Sequence, residues 1–233
     1  MAMLLKERDS TDKHLNAGRR HSRLCQEVPG CDQFLSTISP SLANLEAKAA
    51  VTASKIIERE NTLDTLNLRE RLCDKKIRTL FERCAQYDRD NIGANVMQHL
   101  FPEERLTPYV TGERKKKTDL MDQIVKRSET LAADHPLQAI VAELKTAIVS
   151  IREQMTKYAD SQLAVKLATA DESVAQAAVR KMYEANYLDA RKLYGKEIAE
   201  SIFPELKTAR ETDSSATQTT AAASAATTAT AAQ

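Results

Sequence analysis

Between Leu137 and Val165 apolar side chains return every four and three residues. The members are Leu137, Val141, Leu144, Ile148, Ile151, Met155, Tyr158, Gln162 and Val165, and only Gln162 is plainly polar. Strict 4–3 spacing is the seam of a coiled coil, which packs against a neighbour at a shallow angle. The spacing predicts a helix of about 30 residues, roughly 45 Å long at 1.5 Å per residue. Asp134 can cap its start and Pro136 can occupy its first turn, where a missing N–H costs little.

A similar period runs through the first half of the chain. Leu35, Ile38, Leu42, Leu45, Ala49, Thr52, Ile56 and Leu63 step by three and four, apart from one missed position near Arg59. Pro40 fits best in a first turn, so the predicted helix spans about 38–65. Cys73, Ile77, Leu80, Cys84, Tyr87, Ile92, Val96 and Phe101 continue the pattern. If these two runs pair as a hairpin, the turn falls near Asn61–Asn67. In the second half, Thr169–Glu172 reads as the matching turn, followed by a helix carrying Val174, Val179, Met182, Leu193, Ile198 and Ile202. Pro102 and Pro204 end the second helix of each pair, because the residue before proline is biased away from helical geometry.

The chain writes one stretch twice. Gly93–Glu103 reads GANVMQHLFPE and Gly195–Glu205 reads GKEIAESIFPE, an offset of 195 − 93 = 102. At the same offset Ile77, Leu80 and Phe81 fall on Val179, Met182 and Tyr183, and Leu35, Ile38 and Leu42 fall on Leu137, Ile140 and Leu144. The expected fold is therefore all-α: an antiparallel four-helix bundle made of two tandem copies of a long helical hairpin. Its parts would be a polar N-terminal arm (1–32), copy 1 (33–105), a basic linker with a short helix (106–134), copy 2 (135–210) and an Ala/Thr-rich tail (211–233). Gly93, Phe101, Pro102, Gly195, Phe203 and Pro204 are the structural signature. The two glycines are expected inside helices, where another helix comes close. Asn91, Asn95 and Asn186 lie near the inward stripes, where a polar residue can fix register.

Composition narrows function more than fold. Of 233 residues, 29% are charged and 4% aromatic, there is no Trp, and only 5 are Gly. That is a composition of long helices. A net charge of +1 supplies no field for nucleic acid or an anionic membrane. The basic run Arg114–Lys117 lacks the interleaved aromatics that stack bases, and reads as a solvated loop. No stretch of twenty apolar residues occurs, which argues against a membrane span and for a cytoplasmic location.

Candidate chemistry is sparse. No His has a Glu three residues before it, so the di-iron pattern of helical bundles is missing. No glycine-rich phosphate loop or nucleophile elbow occurs. The one cluster with ligand chemistry is His21, Cys25 and Cys31, with His21 and Cys25 one helical turn apart. A zinc site would need a fourth ligand, for which His14 is the candidate. Cys73 and Cys84, three turns apart, read as small apolar residues of a buried face. These observations favour a non-enzymatic structural or adaptor protein, without cofactor or catalytic residues, acting through a homo-oligomer or a protein partner. The alternative is a helical bundle that binds a small molecule, a metal or a redox group.

Overall fold

The computed structural model describes residues 4–203, so Pro204 and the Ala/Thr-rich tail lie outside the described residues. All regular structure among these residues is helical. In chain order the helices are α1 (Thr11–Glu27), α2 (Asp32–Asp90), α3 (Val96–Leu100), α4 (Thr107–Val110), α5 (Arg114–Ser128) and α6 (Gln138–Ile202).

The hairpins expected from periodicity are not formed. Asn61–Asn67 lies inside the 59-residue α2, and Thr169–Glu172 lies inside the 65-residue α6. Neither stretch contains Gly or Pro. The residues that read as turn formers instead satisfy their hydroxyls along the helix. Thr65 donates to the Asn61 carbonyl at 2.9 Å and Ser173 to the Thr169 carbonyl at 2.9 Å. Each half of the chain thus contributes one long helix. Pro40 is also not in a first turn. It stands inside α2, which begins at Asp32.

The chain divides into two compact units. Among the described residues unit 1 joins 4–51 to 169–203, and unit 2 is 52–168. In unit 1, α1 packs on the first part of α2 and the last part of α6. Leu15, Cys25, Phe34, Ile38 and Leu45 are buried together with Val179, Tyr183, Ile202 and Phe203. The expected polar arm is therefore largely a core helix. It is capped by Ser10, whose side chain accepts from the Lys13 amide at 3.3 Å.

Gly18 is the glycine that permits close approach. A Cβ there would stand 2.3 Å from Leu42 Cδ2. Gly18→Ala is expected to be nearly neutral, because the tip of Leu42 can move and Ala gains about 1 kcal/mol of helix propensity. Gly18→Leu should cost roughly 1–3 kcal/mol by overpacking. A thermal melt in which both variants match the parent would remove Gly18 from the packing account.

Gly93 and Gly195 do something else. Both have positive φ, 91° and 78°, and a Cβ on either would meet nothing within 4 Å. They are not close-approach glycines. Gly93 follows the end of α2, and Gly195 at ψ 177° breaks the helical geometry of α6 in a region essentially restricted to glycine. Asn91 and Asn95 are exposed rather than inward, and Asn95 itself is left-handed at φ 52°. Of the three asparagines expected in the stripe, only Asn186 is buried.

In unit 2, α5 covers the second part of α2 and the first part of α6. Met121, Ile124 and Val125 meet Cys73, Ile77 and Leu144 in one cluster. The seam of α6 is buried from Leu137 to Ile151 as expected. Beyond it Gln154 and Ser161 turn inward and Gln162 faces solvent. A straight helix drifts by about 20° per heptad against a 3.5-residue repeat, which accounts for the slipped position. On α2 no residue between Thr52 and Leu66 is buried.

Candidate functional site

The most elaborate polar arrangement in unit 1 surrounds His21, which has no exposed surface. Its Nδ1 lies 3.0 Å from the Ile202 carbonyl, which can only accept, so Nδ1 carries the proton. Its Nε2 lies 3.3 Å from Asn186 Nδ2, which can only donate, so Nε2 is the acceptor. Asn186 is oriented in turn. Its Oδ1 accepts from Thr37 at 2.8 Å, and its Nδ2 also donates to the Phe34 carbonyl at 3.0 Å. The network therefore specifies one neutral tautomer. The ring stacks on Phe203 at 4.0 Å and meets Tyr183 edge-on at 5.6 Å. Burial pulls the His21 pKa down to about 4, against a smaller upward pull from the Ile202 hydrogen bond.

The structure brings His21 and Cys25 together, with Sγ 3.5 Å from Nδ1. Both ring nitrogens are already engaged by protein, however. Burial pushes the Cys25 thiol up to about 12, helped by Cys31 and Asp32, and raises Cys31 as well. Both are free thiols. Among the described residues no group of three or more His, Cys, Asp or Glu is placed to hold a metal. The fourth candidate, His14, bonds the Ser10 carbonyl through Nδ1 and leaves a buried Nε2 without a partner.

The corresponding place in unit 2 is closed differently. Phe101 has no exposed surface, and Phe81 meets it edge-on at 5.0 Å. In unit 1 Tyr183 meets Phe203 edge-on at 4.8 Å, again 102 residues further on. The carbonyl before each Phe is held by a side chain from a short helix. Arg127 of α5 donates to Leu100 O at 3.1 Å, as His21 of α1 does to Ile202 O. Arg127 carries no apolar period and so escaped the sequence reading.

Unit 2 also buries a charged cluster that the sequence reading placed in solvent. Arg114–Lys117 is the first turn of α5, not a loop. Lys117 is 5% exposed; its Nζ lies 2.5 Å from Glu70 and 3.4 Å from Asp74. Arg114 binds Glu70 at 2.6 Å and Asn67 at 2.6 Å. Lys117 is buried and Arg114 half-buried because Glu70 and Asp74, one turn apart on α2, supply the countercharge, while Lys115 and Lys116 stay exposed. Burial would raise the Glu70 pKa, but the hydrogen bonds from Lys117 and Arg114 outweigh it and hold the carboxyl low. At Asp74 burial outweighs Lys117 and the pKa is raised.

Within unit 2 an open groove of about 840 Å³ follows the polar middle of both long helices. Its walls include Glu58, Asn61 and Thr65 from α2, with Gln154, Lys157 and Asp160 from α6. Gln154 spans to the Thr62 carbonyl at 3.1 Å. Phe101 and Phe203, expected at the ends of their helices, are both fully buried. Compared with known protein families, curated proteins and solved structures, the chain matches none.

Proposed function

We propose that this chain is a non-enzymatic helical scaffold, built from two tandem copies, that works by self-association or by holding a protein partner. The observation that carries the reading is a row of uncovered apolar side chains on α6. Within unit 2 Leu163 and Leu167, one turn apart, are 56% and 61% exposed; within unit 1 Val174 is 72% exposed, with exposed Ala170 and Ala177 one turn to either side. Regular apolar spacing on a solvent-facing helix is the pattern that another helix reads. Burying it contributes about 25 cal/mol per Å² before the costs of association.

Support for the duplication comes from equivalent burial. Cys73, Ile77, Cys84, Leu100 and Phe101 are buried, as are Ala175, Val179, Asn186, Ile202 and Phe203 at the 102-residue offset. The short helices follow suit at an offset of 103, where buried His14, Gly18, His21 and Cys25 match buried Lys117, Met121, Ile124 and Ser128. In this reading each copy is a short helix, a long helix, a glycine break and a buried Phe, not a hairpin.

No helix among the described residues is long and apolar enough to cross a membrane. This is compatible with the cytoplasmic scaffold proposed here. Sedimentation velocity across micromolar concentrations tests the reading. The parent is expected to self-associate or to co-purify with a protein, and Leu163→Glu with Leu167→Glu should abolish that association. A parent that stays monomeric and partner-free would overturn it. The groove of unit 2 favours a second reading, binding of a small polar ligand, which native mass measurement would reveal as added mass in stoichiometric amount.

A further inference from the structure

We propose that residues 196–203, turning about Gly195, form an acid-released latch on unit 1 that is held shut by the neutral imidazole of His21. Three observations place it. Gly195 interrupts α6 at φ 78° and ψ 177°, so the segment after it is joined through a backbone conformation other residues avoid. The segment ends on the Ile202 carbonyl, bound by His21 Nδ1, and on Phe203, stacked at 4.0 Å on the same ring. Finally, His21 Nε2 must accept from Asn186 Nδ2, an amide already fixed by Thr37 and Phe34.

A proton on Nε2 turns that acceptor into a donor facing a donor, inside a site without solvent. A flip of the Asn186 amide is opposed at Phe34: Thr37, which also reaches the Phe34 carbonyl at 2.9 Å, could turn to accept, but Oδ1 would then face that carbonyl, acceptor against acceptor. The closed site therefore excludes the imidazolium, while an opened one accepts it. The other titratable groups around the ring are Cys25 on α1 and Tyr183 on α6. Burial raises both, so neither takes charge below neutrality. Arg20 acts on Tyr183 and Asp32 on the two thiols rather than on the imidazole.

Unit 2 is the built-in control, because its corresponding carbonyl, Leu100 O, is held by Arg127. A guanidinium keeps its charge at all accessible pH values, so the contact to Leu100 O does not itself titrate, although His99, at 3.0 Å from the Arg127 carbonyl, and Asp88, which accepts from the Val96 and Met97 amides at 2.8 Å, stand beside it.

The folded His21 value is about 4, against an unperturbed value of 6.5. The open form therefore binds more protons between these values, and opening is favoured as pH falls through that window. For one proton the opening equilibrium rises roughly a hundredfold between pH 7 and pH 4.

The four cysteines, all fully buried, report the units separately. The full-length protein is labelled with 4,4′-dithiodipyridine from pH 7 to 4, and each thiol is followed by peptide mass. The ratio of Cys25 to Cys84 labelling cancels the acid slowing of the thiol reaction, since each thiol reacts only once its site has opened and both then meet solvent as ordinary thiols. The expected result is a rise in that ratio of about a hundredfold. His21→Gln can donate to Ile202 and accept from Asn186 without titrating, and its ratio should stay flat. A flat ratio in the parent overturns the latch. So does a Cys84 that opens in step with Cys25, or a rise that persists in His21→Gln.

Discussion

Replacing Phe203 with Ala lowers stability by about 3–5 kcal/mol, the range for truncating a fully buried aromatic ring. The ring has no exposed surface and is met on several sides, by His21 at 4.0 Å, Tyr183 at 4.8 Å and Tyr187 at 5.3 Å. Part of the loss is cavity, since stacked and edge-on rings cannot all collapse into the space. Another part is geometric, because edge-on aromatic pairs contribute about 0.5–1.5 kcal/mol beyond their area. Phe101→Ala should cost a similar amount in unit 2, where Phe81 and Tyr109 stand edge-on at 5.0 and 5.3 Å. Urea unfolding measures both, and a double-mutant cycle on Phe203 and Tyr183 isolates the ring pair. A loss under about 1 kcal/mol for either Phe would mean that the signature is not an anchor of the core.

Lys117→Met is expected to cost about 2–3 kcal/mol at neutral pH, somewhat below the roughly 3–5 kcal/mol seen when a fully buried pair loses one member. The discount reflects Arg114, which still serves Glu70, and the carboxylates, whose side chains keep 19% and 23% exposure. The pH dependence separates lost charge from lost packing. Glu70 has a depressed pKa, so its contribution is present above about 4.5 and lost as pH falls through its lower folded value. Asp74 has a raised pKa, the opposite sign, and favours folding more once protonated. Without Lys117 both carboxyls move up, and the deficit of the variant should shrink below about pH 4.5. A deficit that stays constant with pH, in urea melts run side by side, would assign the role of Lys117 to its methylenes.

Helical content, the inward faces and the buried ends at Phe101 and Phe203 were legible because they depend on spacing alone. The hairpin turns were misread for a related reason. Thr62, Thr65 and Thr169 lower helix propensity by only tenths of a kcal/mol, and without Gly or Pro a long partner helix outweighs them. Gly93 and Gly195 showed that something recurs, but a glycine letter does not separate a close approach from a positive φ. Gly18, the close-approach glycine, sits in a stretch whose helix was only faintly periodic. The His21 network and the Lys117 cluster join residues far apart in sequence. Their partners follow no period, so only tertiary placement reveals them.

The division of the chain has a consequence for the order of events during synthesis. Unit 2 is one uninterrupted stretch, 52–168, and every residue it needs has been joined to the chain before residue 169 is added. Unit 1 is split by those 117 residues (168 − 52 + 1), so α1 waits for the end of α6. Until Phe203 emerges, Phe34 and Cys25 have no complete core to enter. The first-made helix is thus the last to be enclosed, and a nascent chain stalled anywhere before residue 203 presents an unfinished apolar surface at its oldest end.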